Sequence, residues 1–107
     1  MSDDRRSGPR VPVQMWVEES SPDGLYFQRS ANLSHGGMYL ENTVPHPVGT
    51  LVNLKFTLPD EGAPIAVRAE IVNAATDDKD FGMGLRFVDL PAETADRIAR
   101  FVGKHRA

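Results

Sequence analysis

The sequence predicts an all-β fold with a terminal helix: a six-stranded antiparallel β-barrel followed by a C-terminal amphipathic α-helix. Three observations lead there. Apolar and polar residues alternate through a series of short stretches. Clusters of turn-forming residues separate those stretches. The spacing of apolar residues changes from two to three and four only after Pro91. A chain of 107 residues, 40% hydrophobic and 25% charged, has the composition of a single globular domain.

The elements follow in chain order. Residues 1–10 hold Arg5, Arg6 and Arg10, with Ser7, Gly8 and Pro9 among them and nothing apolar after Met1, which predicts a flexible N-terminal arm. Val11, Val13, Met15 and Val17 then alternate with Pro12, Gln14, Trp16 and Glu18. This is the pattern of a strand with one buried face, and Pro12 belongs near its start or on an edge. Trp16 falls on the polar side and is expected to pack beneath the terminal helix rather than to stack on a ligand. The turn formers Ser20-Ser21-Pro22-Asp23-Gly24 join this strand to a second, Leu25 to Leu33, as a hairpin. His35-Gly36-Gly37 breaks the chain before the short strand Met38-Tyr39-Leu40, and Pro45, Pro47 and Gly49 break it again.

Leu51 to Leu58 forms the fourth strand, with Val52, Leu54, Phe56 and Leu58 on one face, and Pro59 to Gly62 ends it. Ile65, Val67, Ala69 and Ile71 mark the fifth. Phe81, Met83, Leu85 and Phe87 mark the sixth, after a polar turn from Thr76 to Asp80. Gly82 and Gly84 fall on the opposite face of that last strand, where a missing side chain signals a bulge, a sharp coil or close approach by another group. After Pro91, the residues Ala95, Ile98, Phe101 and Val102 recur at helical spacing. Glu93 lies early and Lys104, His105 and Arg106 late, matching the helix dipole. The barrel is thus expected over residues 11–90 and the helix over 91–107, as a lid or an interaction surface on a closed or nearly closed barrel.

Composition narrows the function classes. The chain has no cysteine, which excludes disulfides, thiolate metal sites and cysteine nucleophiles and permits a reducing compartment. No apolar run approaches membrane-spanning length and none serves as a signal peptide, so a soluble, cytoplasmic protein without membrane insertion is expected. The net charge of −3 and 7% aromatic content do not suit a surface that tracks a nucleic-acid polymer. His35, His46 and His105 have no ligand spacing, so no metal site is expected. No Ser-His-Asp set or paired carboxylates emerge, so the chain is read as a non-enzyme. Positive charge is concentrated instead in the arm, where three guanidinium groups suit a compact anion better than a polymer.

Two short motifs carry the functional reading: Arg6-Ser7-Gly8-Pro9-Arg10, and Asn32-Leu33-Ser34-His35-Gly36-Gly37 at a strand end. Together they resemble the PilZ family, whose motifs RxxxR and D/NxSxxG stand in this order on either side of the first hairpin. The stretch Phe81 to Phe87 resembles the family's last strand, and the closing helix fits too, so the resemblance covers nearly the whole chain. It implies a PilZ-type barrel that binds cyclic di-GMP, needs no cofactor, and transmits the level of this second messenger to an effector protein not identifiable from sequence. The alternative within the family is a degenerate scaffold that mediates protein contact without ligand.

The chemistry fits such a ligand, which carries two phosphodiester anions and two guanines. Arginine can grip phosphate oxygens in a bidentate way, read guanine O6 and N7, and stack on a flat ring. Arg6 and Arg10 are assigned to guanine and phosphate without deciding which does which. Asn32 offers an acceptor and a donor to the guanine edge, where many relatives use Asp. Ser34 supplies a hydroxyl. Gly37 provides either a positive φ for the turn or room for a flat base. Arg5 precedes the motif where the resemblance implies that an arginine accompanies a stacked pair of ligand molecules.

Overall fold

The computed structural model describes residues 10–22, 24–43, 45–59, 62–77 and 80–105. Among them run seven strands: β1 (Val11–Pro12), β2 (Trp16–Ser21), β3 (Gly24–Leu33), β4 (Gly37–Glu41), β5 (Leu51–Phe56), β6 (Ile65–Asp77) and β7 (Asp80–Val88). One helix, α1 (Ala92–His105), follows. Six strands close on themselves. β3 pairs with β2, β2 with β5, β5 with β6, β6 with β7, β7 with β4, and β4 returns to β3, every pair antiparallel. Closure satisfies the sheet's backbone groups all round the ring. The two-residue β1 lies on the same flank of β3 as β2.

The strand expected to run unbroken from Val11 to Val17 is split, and Ser30 is the reason. Its hydroxyl donates to the Val13 carbonyl at 2.6 Å and accepts from the Met15 N–H at 3.1 Å, taking a place in the ladder that backbone would otherwise hold. Side-chain alternation survives: Val11, Met15 and Val17 are buried, while Pro12, Gln14 and Trp16 are exposed. The turn expected from Thr76 to Asp80 is shorter than anticipated, because Thr76 pairs with Phe81 and Asp77 with Asp80. A register shift between Ile71 and Asn73 adds a bulge to β6.

The core fills the barrel from every strand, with Leu33, Met38, Leu54 and Ile71 among its fully buried members. Ile98, Phe101 and Val102 of α1 join the same apolar cluster. Each such burial contributes about 1.5–3 kcal/mol. Glu19 is the polar exception. Continued past Val17, the alternation turns it inward, and it is fully buried. Gln28 Nε2 donates to its Oε1 at 3.0 Å. His46 Nε2 lies 2.7 Å from Oε2, off the line of a hydrogen bond. The His46 ring rests against Tyr26 at 5.5 Å, so the β4–β5 connection is tied to the barrel wall through a buried carboxylate that needs its partners.

Of the readings open for Gly82 and Gly84, close approach is realised at both, and the β6 bulge lies opposite Gly84. A Cβ on Gly82 would overlap the Tyr39 hydroxyl, and one on Gly84 would come within 2.8 Å of the Asn73 side-chain amide. Asn73 Oδ1 also accepts from the Gly84 N–H at 3.1 Å.

Candidate functional site

The second motif forms the β3–β4 turn. Asn32 ends the outward row of β3, Ser34 to Gly36 make the connection, and Gly37 starts β4. The turn is closed by the Ser34 N–H, which donates to the Gly37 carbonyl at 2.9 Å, with the Ser34 hydroxyl 3.3 Å from the same oxygen. Ser34 is fully buried, so in this conformation its hydroxyl braces the turn. The turn is also stitched to β7, where the Phe87 N–H donates to the Gly36 carbonyl at 2.8 Å.

Gly37 does not adopt a positive φ; among the described residues Gly24, Asn42, Gly49 and Asp89 do. What the position requires is space. A Cβ there would overlap the Leu85 carbonyl oxygen and lie 3.3 Å from the Arg86 Cα. The glycine lets β7 run against the turn.

Arg10, just before β1, donates from Nη1 to Asn32 Oδ1 at 2.9 Å. The pairing of Val11 with Leu33 and Pro12 with Asn32 brings the two together across 22 residues of sequence. The structure therefore unites Arg10, Asn32, Ser34 and Gly37 at one end of the β3–β4 hairpin. Arg5, Arg6 and the rest of the arm before Arg10 lie outside the described residues.

Two features of the outer wall depart from the sequence reading, one missed and one misplaced. The first is Arg86, which pairs with Gly37 in register and projects outward between inward-facing Leu85 and Phe87. Its guanidinium donates to Glu70 Oε1 on β6. Period-two alternation from Phe81 onward was the signal for its outward direction, but cross-strand register was needed to set it beside Gly37. The second is Trp16. It does not pack beneath α1: it is 64% exposed, its ring faces the Arg29 guanidinium at 5.5 Å, and the groove of about 440 Å³ beside it is lined by Phe27, Lys55 and Pro64 among others, with no residue of α1. The outward face of β2 meets β3 and β5, and the helix buries its apolar residues elsewhere.

Among the described residues no group of three or more His, Asp or Glu side chains gathers as metal ligands, and no helix is long and apolar enough to cross a membrane. His35 is exposed, and His105 lies against Phe101 at 4.3 Å.

A family model described as PilZ domain matches residues 4–104. Solved structures agree in fold. The inhibitor of motility MotI/DgrA of Bacillus subtilis superposes with a TM-score of 0.77 at 18% identity, over 89% of this chain and 47% of that one. The PilZ domain of YcgR from Escherichia coli, solved with c-di-GMP, gives 0.75 at 15% identity over 91% and 88%. The PilZ domain of CeSA from a cellulose-synthesizing bacterium gives 0.70 at 20% identity over 91% and 97%. The chain thus spans about half of MotI/DgrA and nearly all of the two isolated domains. Among curated proteins none matches.

Proposed function

This chain belongs to the PilZ domain family, and from that premise we propose that it is a cyclic di-GMP receptor whose ligand sits on the outer wall at the β3–β4 turn. The observation that carries the reading is the 2.9 Å contact between Arg10 and Asn32. It joins the last arginine of one motif to the first residue of the other, at the surface and with donors and an acceptor available to an anion and a guanine edge. The c-di-GMP bound to the similar YcgR domain supports the choice of ligand.

In this reading Arg5, Arg6, Arg10 and Asn32 contact the ligand, while Ser34 and Gly37 hold the turn that presents it. The arm closes over the ligand, and the altered surface passes the signal to an effector protein. Arg5 goes with a stacked pair of ligand molecules, since four phosphates brought together call for an additional cation. The protein acts by binding and not by catalysis.

A second reading, a scaffold for protein contact without ligand, draws support from the exposed Trp16 and Phe27 on the same barrel wall. Isothermal titration with cyclic di-GMP, against its linear form and GMP, separates the two. Saturable binding by the cyclic form with two molecules per chain is expected. Heat no different from that of GMP would overturn the receptor reading, and a stoichiometry of one would remove the stacked pair.

A further inference from the structure

We propose that Arg86 is an additional ligand-contacting cation of this site and that Glu70 competes with the ligand's phosphodiester for it; the inference rests on the cyclic di-GMP reading above. The register of three strands carries it. Gly37 of β4 pairs with Arg86 of β7, and Arg86 pairs with Glu70 of β6, so the three stand side by side in one row across the outer wall. Neighbouring strands are about 5 Å apart, which puts the Arg86 backbone one strand away from the glycine that ends the second motif.

That placement is rigid. The Phe87 N–H bond to the Gly36 carbonyl and the tight packing of Leu85 on Gly37 lock β7 against the turn on both sides of Arg86. The Arg86 side chain is 59% exposed on the outer wall. Arg10 reaches the turn from the β1 side through Asn32, and Arg86 flanks it from the β7 side. A ligand with two phosphodiester groups on opposite sides of a ring calls for cations on two flanks, and the guanidinium fork suits the paired oxygens of each group.

In the absence of ligand, Arg86 donates to the Glu70 carboxylate. A phosphodiester offers the same kind of acceptor, so anion and carboxylate compete for one guanidinium, and Glu70 also repels the incoming charge. Competition predicts opposite signs for the two partners: removing the arginine weakens binding and removing the carboxylate strengthens it. A pair that only braces the sheet predicts no such split, with both variants equally less stable and both binding as the wild type does.

The test is titration calorimetry with cyclic di-GMP on wild type, Arg86→Gln, Glu70→Gln and the double variant, at two salt concentrations, with thermal melts of each. Arg86→Gln should weaken binding about tenfold and flatten its salt dependence. Glu70→Gln should tighten it by about two- to fivefold, the scale of an exposed ion pair. In the double variant most of that gain should vanish, leaving only the part due to direct repulsion. Arg86→Lys, which keeps the charge and loses the fork, should fall between wild type and Arg86→Gln. Wild-type affinity in Arg86→Gln, or weaker binding in Glu70→Gln, would overturn the assignment while leaving the receptor reading intact. A wild type that binds no cyclic di-GMP would overturn both.

Discussion

The candidate site is made of two parts that differ in physical kind. The turn from Ser34 to Gly37 belongs to the interior: Ser34 and Gly37 are buried, its hydrogen bonds end on backbone carbonyls, and β7 is pressed against it. The polar groups around it, Arg10, Asn32 and Arg86, belong to the surface and bond through side-chain tips. Shape is therefore set by the same contacts that hold the fold, while recognition chemistry is mounted on it from outside. Substitutions in the two parts should report on different quantities.

The largest effect should come from Gly37→Ala. The added methyl meets the Leu85 carbonyl, which is backbone and cannot swing aside. Overpacking of this kind costs about 3 kcal/mol or more, and for a domain of this size the thermal midpoint should fall by more than about 10 °C. Gly103→Ala is the matched control. Gly103 lies in α1 with nothing within 4 Å of a new Cβ, so helix propensity should raise stability by about 0.5–1 kcal/mol. Equal midpoints for the two variants would show that the turn yields to the methyl and would erase the distinction between the parts.

Much of this fold was legible because the barrel is built on period-two alternation, which the chain keeps from Leu51 to Leu58 and, even across an interrupted strand, from Val11 to Val17; Phe81, expected on the inward row of the last strand, is instead exposed. The break at Val13 to Met15 was not legible, since it depends on a hydroxyl supplied by Ser30 from another strand. Glu19 was hidden for a related reason: a carboxylate reads as solvent-facing until Gln28 and His46 are known to meet it. The motifs themselves identified Asn32, Ser34 and Gly37, but local sequence suggested an unusual φ for Gly37, whereas the cause is a neighbour 48 residues away, Leu85. Arg86 was missed on the same account, because its nearness to the turn is a property of register.

On the surface side of the comparison, Arg10→Ala should cost binding and spare stability. It deletes charge-assisted contacts worth about 1.5–3 kcal/mol, or roughly ten- to a hundredfold in dissociation constant. Its exposed position keeps the expected change in folding free energy within about 0.5 kcal/mol. Calorimetry and melting of the same preparation check both halves. Loss of stability comparable to the loss of affinity would place Arg10 with the turn rather than with the recognition groups.

The smallest effect, and the one that sharpens the surface part most, is expected of Asn32→Asp. Asn32 presents one carbonyl oxygen, already engaged by Arg10 at 2.9 Å. A carboxylate would offer a second oxygen to guanine N–H donors and make both bonds charge-assisted. Against this stand its tighter hold on Arg10 in the free protein and its repulsion of the ligand's phosphates, both softened by solvent at an exposed site. The balance favours tighter binding by about two- to fivefold. The gain depends on the ionised carboxylate, so it should be complete near neutrality and lost as acid protonates the new group. The wild type, with an amide there, should show no such step from this position. Cyclic di-GMP titrations of both proteins from neutral to acid pH read the difference directly. Weaker binding by the variant at neutral pH would mean that Asn32 faces phosphate oxygens rather than a guanine edge, and the roles of the recognition groups would have to be exchanged.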